Sequence, residues 1–129
     1  MPAGSGEPFA YALLRVVPDV ERGERLNVGV VLFCRRARFL EARTHVDPAR
    51  LHALAPSVDA EAVAAHLRTL EHIAAGDPAG GPVAAQEPSE RFHWLVAPAS
   101  TIVQPSPVHT GLTEDAPATL ARLMARLVE

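Results

Sequence analysis

Residues 28–34, VGVVLFC, are an unbroken run of seven apolar or small residues bounded by Asn27 and Arg35. Such a run suits a central strand covered on both faces, and it is far too short to span a bilayer. The fold is read outward from it. On its C-terminal side Arg35, Arg36 and Arg38 mark a tight polar connection, after which FLEARTHV, residues 39–46, has the composition of a further strand. On its N-terminal side the charged loop PDVERGERLN carries Gly23 as its turn, and FAYALLRVV, residues 9–17, is an aromatic and β-branched strand stopped by Pro18. Strands joined this closely predict an antiparallel meander over residues 9–46.

Helical signals follow. Asp47 is a good N-cap with Pro48 at the first helical position, and a second helix begins at Asp59 and closes at Gly76, so two helices are expected over 47–76. In the second, Ala60, Val63, Ala64, Leu67, Leu70 and Ala74 form an apolar stripe. Residues 77–90, rich in Pro, Gly and Ala, read as a mobile surface loop. RFHWLVA, residues 91–97, alternates and predicts a fourth strand, with TIVQ returning as a fifth, a hairpin-like pair over 91–104. Leu120, Leu123, Met124, Leu127 and Val128 then trace the clearest amphipathic helix, 116–128, with Glu114 and Asp115 at its start. The expected architecture is α+β: a mainly antiparallel sheet of about five strands covered by helices. Residues 1–7 read as a disordered N-terminus and 8–129 as one domain.

Charge and composition exclude several chemistries. A formal charge of −3 gives no general attraction to nucleic acid or anionic lipid. All twelve basic residues are arginine, so no Schiff-base, P-loop or kinase lysine exists. RRAR at 35–38 reads as a soluble hairpin tip that protects the edge. The six histidines show no HxxxH or HxH spacing, and the single cysteine, Cys34, ends the apolar run as a small buried hydrophobe. No metal, cofactor, nucleic acid or membrane partner is expected. The opening residues lack the charged and apolar regions of a secretory signal, which leads to the expectation of a soluble, cytoplasmic protein.

The segment STIVQPSPVHTGLT, residues 100–113, holds the polar residues that invite a functional reading. Ser106 and His109 are a tempting hydrolase pair, but Pro107 follows the serine and has no N–H to lend an oxyanion hole, so a nucleophile elbow is excluded. What remains is a proline-stiffened extended arm presenting Gln104, Ser106, His109 and Thr110. A serine between two prolines in such an arm is also an accessible position for phosphorylation. Asn27 and Gly29 bracket the entry to the central strand, where a glycine marks a bulge or a close approach.

Two blocks, YALLRVVPDVERGERLNVGVVLFC and ERFHWLVAPASTIVQPSPVHTGLT, together resemble the bacterial family catalogued as domain of unknown function 3037. That family has no established activity, so the resemblance implies no catalytic residues; it implies a small standalone bacterial domain whose gene neighbours HipA-like kinase genes. The chain is therefore read as a non-catalytic protein-binding or accessory module using Asn27, Gly29, Gln104, Ser106, His109 and Thr110, with a HipA-like kinase as the expected partner. The competing reading is a small enzyme or polar-ligand-binding domain in which His109 acts as acid or base and Asn27, Gln104 and Thr110 orient the ligand. That second reading requires these side chains to converge on one pocket.

Overall fold

The computed structural model describes residues 6–99 and 101–129. Strands β1 (Glu7–Val16), β2 (Leu26–Cys34) and β3 (Phe39–Thr44) form the expected meander. Helices α1 (Pro48–Leu54), α2 (Ala60–Ala75) and α3 (Pro88–Leu95) follow, then strands β4 (Val103–Pro105) and β5 (His109–Thr113), and the chain closes with α4 (Ala116–Leu127). The sheet is antiparallel throughout, in the order β3-β2-β1-β4, and β5 also pairs with β1. Among the described residues, no helix is long and apolar enough to cross a membrane.

The continuous apolarity of β2 has a direct cause: helices cover both faces of the sheet. Ala12, Leu14 and Val16 of β1 join Val28 and Val31 of β2 in a core with Leu51, Leu67, Leu70, Ile73, Phe92 and Leu95. Phe9, Val30, Leu32 and Cys34 form a second core with Leu120, Leu123 and Met124 of α4 on the opposite face. Each large side chain fully buried in either core contributes about 1.5–3 kcal/mol relative to exposure.

A bulge in β2 makes this distribution possible. Leu14 pairs with Gly29 and Arg15 with Asn27, which leaves Val28 as the extra residue. Alternation therefore changes phase there: Leu26 and Val28 share a core with Val31, while Val30 and Leu32 face α4. Gly29 sits where the backbone is crowded, since a Cβ on it would lie 2.9 Å from the Arg43 carbonyl oxygen and 3.0 Å from Thr44 Cγ2. The close approach expected of Gly29 is thus made by the neighbouring strand β3.

The helix starts follow the sequence. Asp47 accepts hydrogen bonds from the Ala49 and Arg50 N–H groups, and Asp59 from those of Glu61 and Ala62. Gly76 ends α2 in the left-handed conformation at φ 72°.

Three sequence expectations need correction or relocation. Residues 91–97 are not a strand: 88–95 are α3, in which Phe92 and Leu95 are buried at i, i+3 spacing while Trp94, which a strand would place on the same face as Phe92, is 48% exposed. The segment 77–90 contains two short 3₁₀ turns, Pro78–Gly80 and Pro82–Ala85, before α3 begins. At the N-terminus Glu7 already belongs to β1, and the expectation for residues 1–5 lies outside the described residues.

Candidate functional site

The polar segment before α4 is a bulged edge strand. Val103, Gln104 and Pro105 pair with Val16, Arg15 and Leu14, and His109–Thr113 pair with Tyr11–Glu7 after a one-residue change of register. Ser106 bridges the two halves. Its N–H donates to the Leu13 carbonyl at 2.8 Å, its Oγ accepts the Leu13 N–H at 2.8 Å, and the same hydroxyl donates to the Pro107 carbonyl at 2.8 Å. The hydroxyl thus supplies the ladder acceptor that the main chain, turning into the bulge at Pro107 and Val108, no longer provides. This overturns two sequence expectations. The segment is not a free arm, and Ser106 is only 4% exposed with both hydrogen-bonding functions engaged, so it is not an accessible phosphorylation position in the folded chain.

The remaining candidates are dispersed. Asn27 Nδ2 donates to the Leu127 carbonyl at 3.1 Å and ties β2 to the end of α4. Gln104 Nε2 donates to the Thr101 carbonyl at 3.0 Å. His109 is exposed and stacks on Tyr11, its cross-strand partner, with ring centroids 5.2 Å apart. Thr110 follows it on the opposite face of β5. Gln104 lies opposite Arg15 and His109 opposite Tyr11, four residues along β1, a separation of about 13 Å at the rise of a strand. None of the five best-formed clefts among the described residues is lined by both His109 and any of Asn27, Gln104 or Thr110.

What the segment does form is an open sheet edge with a direction. The Val17 N–H donates to the Ile102 carbonyl and the Ser106 N–H to the Leu13 carbonyl, so the odd-numbered residues of β1 turn their peptide groups toward β4 and β5. By the same alternation His109, Gly111 and Thr113 face inward, and the N–H and C=O groups of Thr110 and Leu112 point away from the sheet. Pro105 occupies an outward-facing position, where its missing N–H costs no ladder bond and blunts the upper half of the edge. The lower half is unblunted. Residues 101–113 carry no Asp, Glu, Lys or Arg, and Val108 and Leu112 are 44% and 55% exposed.

The other edge differs. β3 carries Glu41 and Arg43, paired at 3.2 Å, and α2 packs against it. The sequence reading named His109 and Thr110 but missed Val108 and Leu112, because it placed no strand after Pro107. The alternation of HTGLT was a signal for one, although it spans only five residues.

The sequence model of a family described as "Protein of unknown function (DUF3037)" matches residues 11–128, nearly the whole chain, and the chain belongs to that family. No curated protein and no solved structure matches it.

Proposed function

We propose that this family member is a non-catalytic, cytoplasmic protein-binding module that accepts an extended segment of a partner protein along β5. The observation that carries this reading is the contrast between the two edges: β3 is charged and backed by a helix, whereas β5 is uncharged, uncovered and flanked by exposed Val108 and Leu112. Natural sheets guard long edges with charge, proline or bulges because an unguarded edge is a template for another strand. Here the guards, Pro105, Pro107 and the bulge, stop short of β5. A partner strand would gain main-chain hydrogen bonds from Thr110 and Leu112, and its alternate side chains would meet Leu112 and the His109–Tyr11 stack on the two faces. The resemblance to a family whose genes neighbour those of HipA-like kinases makes such a kinase the first partner to test.

The test is coexpression of the chain with that kinase, followed by capture of the wild type and of Thr110→Pro, which removes an outward donor without touching the β1 ladder. Recovery of a stoichiometric complex with the wild type and its loss with the variant is the expected result. A wild-type chain that stays a lone monomer and captures nothing, or a complex indifferent to Thr110→Pro, overturns the reading.

A further inference from the structure

A second feature lies beside the upper half of the edge, under the β1–β2 loop. A cleft of about 200 Å³ is lined by Arg15, Arg25 and Gln104, with Val17, Val20 and Gly23 among its walls. Arg15 comes from β1, between the fully buried Leu14 and Val16, and is half-buried itself. Its Nε is sealed from solvent and has no hydrogen-bond partner. Burial, and then the nearby Arg25, hold the Arg15 guanidinium below its ordinary pKa.

No carboxylate lines the cleft. Two acids of the adjoining loop are used elsewhere: Glu24 pairs with Arg22 at 2.7 Å, Asp19 accepts the Glu21 N–H at 3.0 Å, and both line a different depression beside Leu54 and Ser57. Two guanidinium groups therefore line one cleft, and no carboxylate among the described residues lines it with them. Gln104, across the strand pair from Arg15, spends one amide hydrogen on Thr101 and has a second to give. Planar guanidinium groups match the oxygens of a phosphate or carboxylate. The cleft is smaller than the roughly 300–1,000 Å³ of sites for drug-sized ligands, which restricts it to a compact anion.

We propose that this cleft binds a small oxyanion, a phosphate or carboxylate group, between the Arg15 and Arg25 guanidinium groups, with the Gln104 amide completing the contact. The site is independent of strand addition at β5.

Titration of the ¹⁵N-labelled full chain with inorganic phosphate, and separately with succinate, tests it against sodium chloride at matched ionic strength. The readouts are the arginine Nε–H and glutamine side-chain signals and the thermal midpoint. Saturable shifts at Arg15 and Gln104 with a rise in midpoint are expected. Phosphate alone, succinate alone, or both producing them distinguishes the two anion chemistries within the proposal. Arg15→Gln and Arg25→Gln should each weaken the saturating anion by about tenfold or more, the usual loss of a hydrogen bond to a charged group. Arg25 is exposed, so its variant keeps the fold and reads out even if Arg15→Gln does not fold. Shifts no larger than those in chloride for both anions, or wild-type affinity in Arg25→Gln, overturn the proposal.

Discussion

Ser106 grips Leu13 twice, once through its main-chain N–H and once through its side-chain oxygen, each at 2.8 Å. The second bond stands in for a ladder carbonyl at the point where the edge strand bulges, so the hydroxyl is part of the sheet. Ser106→Ala would leave the Leu13 N–H without its acceptor in a nearly buried setting, and stability should fall by about 1–3 kcal/mol. Equilibrium urea unfolding measures this. A variant with an unchanged midpoint would mean that water meets the Leu13 N–H and that the hydroxyl is dispensable.

Gly29 should be similarly intolerant. At the β2 bulge an added methyl would press on the Arg43 carbonyl at 2.9 Å, and that atom belongs to a ladder paired along β3 and cannot swing aside as a flexible side chain would. Gly29→Ala is expected to cost about 1–3 kcal/mol, as overpacking in a tight core does. The same unfolding measurement applies, and a neutral or stabilising substitution would show that β3 shifts freely there.

The direction of the β5 edge makes a paired prediction that needs no partner. Proline at His109 removes an inward donor and should cost about 1–3 kcal/mol, because the Tyr11 carbonyl it serves loses its partner. Proline one residue later removes only an outward donor, and edge strands accept it there. Thr110→Pro should therefore stay much closer to wild type in thermal and urea unfolding than His109→Pro. Equal losses in the two variants, or the reverse order, would mean that the alternation along β5 is opposite to the one described.

How far the sequence carried the fold can be seen at particular residues. VGVVLFC was legible as a doubly covered strand because nothing but burial on both faces explains its apolarity, and the caps at Asp47, Asp59 and Gly76 were legible because their chemistry is local. RFHWLVA misled because a short stretch of mixed aromatic residues fits a period of two as readily as one of three to four. Pro88 at the first helical position and Glu90 in the first turn were the local signals for a helix, and they lay within the segment read as a loop. The site was less legible for a different reason. Which peptide groups of β5 face outward depends on its pairing with β1, far away in the chain, and that Arg15 meets Arg25 depends on the exact register of the β1–β2 hairpin.

Arg91, the first residue of that misread stretch, fixes α3 in place. Its Nη1 donates to the Ile73 and Ala74 carbonyls at 3.0 and 2.6 Å, and its Nε donates to the Gln86 carbonyl at 3.0 Å. These contacts satisfy carbonyls at the C-terminus of α2 and add a positive charge at the negative end of its dipole. They also join α2, the second 3₁₀ turn and α3 through one planar group. Arg91→Ala should lower stability by about 2–4 kcal/mol, the sum expected for losing charged hydrogen bonds to partly buried carbonyls. Arg91→Lys should recover only part of it, because an ammonium is a point donor and cannot hold the Gln86 carbonyl and the two helix-end carbonyls in one plane. Urea unfolding of both variants decides the matter: full rescue by lysine would mean that charge at the helix end, and not the three-way geometry, is what holds α3 against α2.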